Sequence, residues 1–265
     1  MIRLIATDLD GTLLNNEHKI SDYNKKIISA VNEKGIKFIL STGRPTLAAT
    51  KFLEDLNIET DMISFNGAMI TDRKGNILYE DNLESHIGKE LIEIAKKYKV
   101  YYQGFLGERW NLSDSKSKWL DFYISIAKIN NYKLGFDNIK DFSFSKFMFI
   151  GENHILKEIA KEIDKKLKDK VYYTFSRPVY LEVHSPKVSK ANALSFLLKK
   201  YNIERENIMA FGDNNNDIEM LELAKISVAV ENAESIVKEK AKYITKSNIE
   251  NGVGYFINEY FNLGL

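Results

Sequence analysis

Two carboxylates one residue apart make the segment Asp8–Leu13 the first candidate for chemistry along the chain. The segment directly follows the apolar run Ile2–Thr7, so we expect Asp8 and Asp10 at the carboxyl end of a strand. At about 4 Å and an effective dielectric constant of about 20, two such charges repel by about 4 kcal/mol. A proton or a cation must offset this repulsion. The alternative is a surface turn with two solvated aspartates.

Two further segments carry groups suited to a phosphate. Ser41–Pro45 places Thr42 beside Gly43 immediately before a helix start, where backbone amides and a hydroxyl can meet phosphate oxygens. Lys190 opens a later helix and can bring a compact positive charge to a phosphoryl group. Each segment also has a simpler interpretation, because capped helix starts and solvated lysines are both common.

The segment Gly212–Asp217 offers two acids and three amides after the apolar run Asn207–Phe211. Carboxylate and amide oxygens are ligands for a hard cation such as Mg²⁺, although a polar loop that caps the helix Ile218–Ala224 would look the same. Ligands of open α/β sheets bind outside the carboxyl ends of the strands. The four segments could therefore share one crevice at that edge.

The elements that must position these segments alternate between short apolar runs and helical patterns. Six runs lack polar alternation, as strands buried on both faces do: Ile2–Thr7, Ile36–Ser41, Met62–Phe65, Asn207–Phe211, Ile226–Val230 and Tyr243–Thr245. Helices are predicted from Ser21 to Lys34 and from Pro45 onward. Strand–helix–strand alternation predicts an α/β fold with a doubly wound parallel sheet.

The middle of the chain does not follow this alternation of strands and helices. A hairpin is predicted from Ala68–Thr71 and Ile77–Tyr79. Helices follow at Ile87–Tyr98, Ser117–Ile129 and Ile155–Leu167, with strands at Val100–Phe105, Trp110–Leu112, Phe147–Ile150, Val171–Phe175 and Tyr180–Val183. This pattern predicts an antiparallel sheet with helices on one face. We therefore predict a core made of residues 1–82 and 185–265, with an inserted α+β domain at 83–184.

Composition limits the possible functions. The 265 residues are 44% apolar, and 38 basic against 37 acidic residues give a net charge of +1, so nothing favours nucleic acid or a membrane as partner. The absence of cysteine excludes disulfides and thiolate chemistry. No signal peptide or long apolar span is apparent, and we expect a soluble, cytoplasmic protein. His18, His86, His154 and His184 form no metal-binding pair.

The four segments, in this order, resemble the four motifs of the haloacid dehalogenase superfamily. They are Asp8–Thr12, Ser41–Arg44, Lys190 and Gly212–Asp217. The inserted domain resembles the large α/β cap of the Cof-type sugar-phosphatase branch. The run Asn66-Gly67-Ala68 also resembles that branch, whereas Ala191 stands where the branch usually has glycine.

The resemblance implies a Mg²⁺-dependent phosphatase with an aspartyl-phosphate intermediate. Asp8 would be the nucleophile and Asp10 the general acid and base. The implied metal ligands are Asp8, the backbone carbonyl of Asp10, and Asp213. The implied phosphate contacts are Thr42, Lys190, Asn216 and the amides of Leu9 and Gly43. Asp217 would orient Lys190 or a metal-bound water, and Asn214 and Arg44 are weaker candidates.

The implied substrate is a small phosphorylated metabolite such as a sugar phosphate, selected by the inserted domain. Arg109, Trp110 and His184 are candidates for contact with the leaving group, and the alternatives are an outer surface or the domain's own core. Two other functions remain open: phosphotransfer between sugar positions, as in phosphomannomutases, and a receiver-like signalling module. The natural substrate and the oligomeric state are not predicted.

Overall fold

Fourteen strands and nine α-helices make up the structure, a computed structural model that describes residues 1–265. The strands are β1 Leu4–Thr7, β2 Lys37–Ser41, β3 Met62–Ser64, β4 Met69–Thr71, β5 Ile77–Glu80, β6 Tyr101–Leu106, β7 Arg109–Leu112, β8 Lys133–Leu134, β9 Lys146–Ile150, β10 Tyr172–Arg177, β11 Tyr180–His184, β12 Ile208–Gly212, β13 Ile226–Ala229 and β14 Tyr243–Ile244. The helices are α1 Asp22–Glu33, α2 Thr46–Leu56, α3 Ser85–Tyr98, α4 Lys118–Ala127, α5 Asn153–Lys166, α6 Lys190–Tyr201, α7 Ile218–Leu223, α8 Ser235–Lys240 and α9 Gly252–Phe261.

The apolar runs at both ends of the chain form one eight-stranded sheet. Its order is β14-β13-β12-β1-β2-β3-β4-β5, parallel from β14 to β3 and antiparallel between β3 and β4. Thr7 lies opposite both Leu40 and Phe211, so the central strands end level with one another. The predicted fold class, a doubly wound α/β core, is confirmed.

Each face of this sheet is covered by its own apolar cluster. Ile5, Phe38 and Phe211 face a cluster that includes residues of α1, α2 and α9. Leu4 and Ile39 point the other way, toward a cluster that includes residues of α6, α7 and α8. Because both faces are buried, the strands carry no polar alternation, which is the pattern that the sequence displays.

The second sheet has the order β10-β11-β9-β6-β7-β8 and is antiparallel except between β7 and β8. Apolar residues of α3 and α5 cover one face of this sheet. The prediction of helices on one face only is wrong, because Tyr123 of α4 packs against Trp110 and Tyr180 on the opposite face. That face also carries large apolar side chains, so it too needs a cover.

The chain divides into two compact units. The first consists of Met1–Gly43, Ala49–Tyr79 and Ser189–Leu265, and the second of Arg44–Ala48 and Glu80–Val188.

The two strands of the predicted hairpin are β4 and β5. In the turn between them, the carboxylate of Asp72 accepts hydrogen bonds from the amides of Lys74 and Asn76. None of the helices has the length and apolar character that crossing a membrane requires.

Candidate active site

Adjacent strand ends bring three of the four predicted segments together. Asp8 follows β1, and its amide donates to the carbonyl of Phe211 at 3.1 Å, on the neighbouring strand β12. Thr42 follows β2, and its amide donates to the carbonyl of Ile63 at 2.9 Å. Asp213 follows β12 directly. The parallel pairing therefore places these three segments along one edge of the sheet.

The turn after Asp8 is built around Gly11. A single wide turn over Leu9–Leu13 is closed by the amide of Leu14, which donates to the carbonyl of Leu9 at 2.9 Å. Gly11 has φ +84°, and a Cβ atom there would lie 2.5 Å from Oδ2 of Asp213. Glycine is thus needed both for the backbone conformation and for the close approach of Asp213.

A hydroxyl completes the link between the first and fourth segments. Thr12 Oγ1 donates to Oδ1 of Asp213 at 2.5 Å, across two stretches of chain that lie far apart in sequence. The contact orients the Asp213 carboxylate, so Thr12 helps to position a residue of the fourth segment.

Lys190 lies at the centre of the cluster. It is the first residue of α6, where the side chain of Ser189 caps the helix by accepting the amide of Asn192. Its Nζ donates to Oδ1 of Asp8 at 2.5 Å and to Oδ1 of Asp217 at 2.6 Å. Lys190 is 1% exposed, which rules out the interpretation of one more solvated lysine.

Burial and the interactions between charged groups shift the pKa values of this cluster. Burial alone would lower the pKa of Lys190, but the carboxylates of Asp217 and Asp8 outweigh it and raise that pKa, so the ammonium stays charged. Burial raises the pKa of Asp8 well above its usual value; Lys190 opposes this shift and the neighbouring aspartates add to it. Burial, followed by the charge of Asp217, raises the pKa of Asp213 to about 6.

These carboxylates fit a divalent cation. Oxygen atoms of Asp8, Asp213 and Asp217 lie within 4.8 Å of one another. Asp217 is already engaged, because Oδ1 accepts Lys190 and Oδ2 accepts the amides of Asp213 and Asn214 at 3.0 Å each. Asp8 and Asp213 therefore offer the oxygens that a metal can take. Carboxylate oxygens whose negative charge exceeds the single positive charge of Lys190 suit a hard cation such as Mg²⁺.

Two of the predicted residues sit at the exposed side of the cluster. The Asp10 side chain is 43% exposed, and its Oδ1 lies 3.6 Å from Nδ1 of His18. Asn216 is exposed and its Nδ2 donates to Oδ1 of Asn66 at 2.9 Å. Asn214 caps the short turn Asn215–Asp217, whereas the alternative drawn from sequence was a loop that caps the following helix.

The remaining candidates belong to the second unit. Arg109 and Trp110 are neighbours on β7, so their side chains point to opposite faces of that sheet. The Trp110 ring is 1% exposed and packs against Phe105 and Tyr123, as in the alternative of a domain core. Arg44 lies in the segment Arg44–Ala48 of the same unit.

His184 is also in the second unit, within a buried polar group. Its Nδ1 lies 3.1 Å from the carbonyl oxygen of Ser145, and its Nε2 lies 3.7 Å from Oε2 of Glu182. The same Glu182 oxygen pairs with Nζ of Lys146 at 2.6 Å. Burial opposes ionisation of Glu182, but the Lys146 ammonium and the hydrogen bonds to the carboxylate outweigh burial and lower the pKa of Glu182 to about 2.

The sequence patterns assign no role to three residues next to the cluster. The four histidines form no metal-binding pair, so nothing in the sequence distinguishes His18, and a family resemblance marks Asn66 without giving it a role. Asn232 was not considered: its Nδ2 donates to the carbonyl of Gly11 at 2.7 Å, and its Oδ1 accepts the amide of Asn248 at 2.9 Å. Asn232 follows β13, so the rule used for the other strand ends could have found it.

Comparisons with known proteins identify the family of the chain. The family profile of haloacid dehalogenase-like hydrolases matches residues 5–257. The chain belongs to this family. A solved haloacid dehalogenase-like hydrolase from Bacteroides thetaiotaomicron superposes with a TM-score of 0.91 at 29% identity, covering 98% of this chain and 100% of that one.

Two curated relatives from Bacillus subtilis are named as 5-amino-6-(5-phospho-D-ribitylamino)uracil phosphatases. One is 34% identical over 259 residues, covering 98% of this chain and 96% of its own length. The other is 31% identical over 282 residues, covering 97% and 98%. The protein is accordingly a phosphatase of the haloacid dehalogenase-like family.

The raised pKa of Asp213 predicts a gain in stability when its charge is removed. A folded-state pKa of about 6, against 3.8 for the unperturbed group, means that the fold disfavours the charged form at pH 7.5. In EDTA, Asp213→Asn should therefore raise the melting temperature by about 2–4 °C at that pH. The gain should shrink as the pH falls from 6 toward 4, because the native carboxyl then binds a proton.

Thermal unfolding followed by circular dichroism across this pH range checks the expectation. Asp169→Asn is the matched control, since Asp169 is exposed and outside the cluster. An Asp213→Asn variant that is less stable than wild type at pH 7.5 would contradict the electrostatic account.

Proposed function

We propose that this phosphatase hydrolyses small phosphate monoesters, sugar phosphates foremost, through an aspartyl-phosphate formed on Asp8, with Mg²⁺ as its metal. The observation that carries the proposal is the buried contact of Asp8 with Lys190, next to the half-buried Asp213. A carboxylate held by a permanent cation at a sheet edge is oriented for attack on an electrophile that carries negative charge.

The first step transfers the phosphoryl group to the protein. A carboxylate oxygen of Asp8 attacks the phosphorus atom, the ester P–O bond breaks, and the leaving alkoxide takes a proton from the carboxyl group of Asp10. Lys190 holds Oδ1 of Asp8, which limits rotation of the carboxylate during attack. The products of this step are a free alcohol and an aspartyl-phosphate.

The second step restores the enzyme. Asp10, now a carboxylate, takes a proton from a water molecule as the water oxygen attacks the phosphorus atom, and the bond between phosphorus and Asp8 breaks to release inorganic phosphate. The different surroundings of the two carboxyl groups support this division of roles. Asp8 is 6% exposed and paired with Lys190, whereas the Asp10 side chain is 43% exposed and can exchange protons with water.

Several donors would hold the phosphoryl oxygens during both steps: Lys190, Thr42, Asn216 and the amides of Leu9 and Gly43. Mg²⁺ would be held by Asp8, Asp213 and the backbone carbonyl of Asp10. When bound, the ion would supply the positive charge that the carboxylate cluster lacks and would polarise a phosphoryl oxygen.

The class of substrate is proposed from the relatives and from the insertion. The two curated relatives act, by their names, on a phosphorylated ribitylamino-uracil, which is a small polyol phosphate. We place the choice of leaving group in residues 83–184, with Arg109, Trp110 and His184 as candidate contacts. A small phosphorylated metabolite is the partner that this assignment implies.

Replacement of the nucleophile should abolish turnover. Asp8→Asn keeps the shape of the side chain but removes the attacking charge, so phosphate release should fall by at least about a thousandfold. Lys190 keeps its contact with Asp217, and the fold should survive. Malachite-green assay of the purified variant, with its melting temperature as control, is the measurement. Activity above a tenth of wild type would remove Asp8 from this role.

Removal of divalent cations should also abolish turnover. After exhaustive EDTA treatment the protein should release no phosphate, and added Mg²⁺ should restore the rate, with Zn²⁺ a poor substitute for an oxygen-only site. Mg²⁺ should also raise the melting temperature of wild type and raise that of Asp213→Asn much less. Full activity in EDTA, or equal stabilisation of both proteins, would count against the metal.

A substrate panel separates hydrolysis from phosphotransfer. Phosphorylated sugars, polyols and nucleotides are each assayed with Mg²⁺ for free phosphate and, by mass spectrometry, for phosphosugar isomers. We expect stoichiometric inorganic phosphate from one or more sugar or polyol phosphates. Isomer formation without phosphate release would show a phosphomannomutase-like reaction instead.

A further inference from the structure

The turn that follows β3 has an unusual backbone. Phe65, Asn66 and Gly67 all have positive φ angles, of 51°, 59° and 107°. Glycine adopts such angles readily and asparagine does so at moderate cost, but a buried phenylalanine rarely does. Phe65 above all stores strain in this region, and the surrounding contacts must hold the turn in this conformation.

Those contacts lead to three of the four segments of the active site. The amide of Asn66 donates to the carbonyl of Thr42 at 3.0 Å, and a Cβ atom on Gly43 would lie 2.6 Å from Oδ1 of Asn66. A Cβ atom on Gly67 would lie 2.2 Å from the carbonyl oxygen of Ser189, the residue before Lys190. The turn is therefore packed against the main chain of both neighbouring segments.

The side chain of Asn66 supplies the third contact. Its Oδ1 accepts a hydrogen bond from Nδ2 of Asn216 at 2.9 Å. Asn216 is exposed on a loop of consecutive asparagines, and neither end of its side-chain amide has another hydrogen bond to protein. The acceptor on Asn66 thus holds the nitrogen end of that amide toward the turn that packs against Gly43.

We infer that Asn66 is a positioning residue for phosphate binding that acts through Asn216. This inference rests on the proposed function. With its nitrogen held toward Asn66, the second N–H of Asn216 is available to a phosphoryl oxygen. In the flipped orientation a carbonyl oxygen would face the phosphate and repel it. Asparagine suits this position because it tolerates the left-handed backbone and carries the acceptor, whereas glycine would satisfy only the first requirement.

The central variant is Asn66→Gly, which removes the side chain without adding backbone strain at φ 59°. We expect kcat/KM for p-nitrophenyl phosphate to fall about tenfold and the inhibition constant of inorganic phosphate to rise by a similar factor, as for loss of one hydrogen bond that serves a charged group. Asn202→Gly is the matched control. Asn202 also has positive φ, but it follows the far end of α6 from Lys190. This control should change neither constant.

A double-mutant cycle tests whether Asn66 acts through Asn216. In the Asn216→Ala background, Asn66→Gly should have little further effect on kcat/KM or on phosphate inhibition. Fully additive losses, or wild-type constants for Asn66→Gly alone, would overturn the inference.

A second cycle reads out the contact by stability alone. Gly43→Ala should lower the melting temperature of wild type, because the added methyl group meets the Asn66 side chain, and should lower it much less in the Asn66→Gly background. An equal loss in both backgrounds would contradict the packing on which the inference rests. If wild type releases no phosphate from any ester, the proposed function fails, whereas this cycle still reports on Asn66.

Discussion

The contact of one buried ammonium with two carboxylates is the constraint on which the rest of the site depends. Lys190 lies between Asp8 and Asp217, and all three side chains are almost completely removed from solvent. Burial of charges is expensive unless each finds a partner in good geometry. A strand end, a loop after a second strand and the first turn of a helix must therefore meet within hydrogen-bond distance. The order of the strands and the position of α6 are consistent with the requirement that Lys190 reach both carboxylates.

The same cluster carries a surplus of negative charge. One ammonium faces Asp8, Asp213 and Asp217, so burial and repulsion raise the pKa of both Asp8 and Asp213. Oxygen atoms of Asp8, Asp213 and Asp217 lie close enough together that the cluster could hold a metal ion, whose charge would offset this repulsion.

The core fold was predictable from sequence because its signals are local and redundant. Strands such as β1 and β12 are apolar on both faces, which indicates a parallel sheet with two covered faces. Polar residues directly after those strands then had to share one edge. This reasoning found Asp8, Thr42 and Asp213 without knowledge of their distances, and the family comparison confirms the fold class.

Other features depend on geometry that periodicity does not encode. The contact of Asn66 with Asn216 requires a left-handed turn at Phe65, and no propensity favours that angle for phenylalanine. The helix predicted at Ser117–Ile129 is present as α4, but its place on the second face of the sheet was not predicted, because periodicity does not tell which face of a sheet a helix covers. Strand alternation alone would have separated Arg109 from Trp110, an inference that the sequence allowed.

The central position of β1 has a consequence for the order in which the chain can fold. In the finished sheet β1 pairs on one side with β2, which is synthesised soon afterwards, and on the other with β12, which begins only at Ile208. Throughout most of translation the strand that carries Asp8 is thus an open edge, while the contiguous stretch Glu80–Val188 already contains its own sheet. Contacts of such long sequence separation form slowly. A nascent chain that stops short of residue 208 lacks both β12, the second partner of β1, and Asp213, so the cluster of Asp8, Lys190 and Asp213 cannot yet assemble.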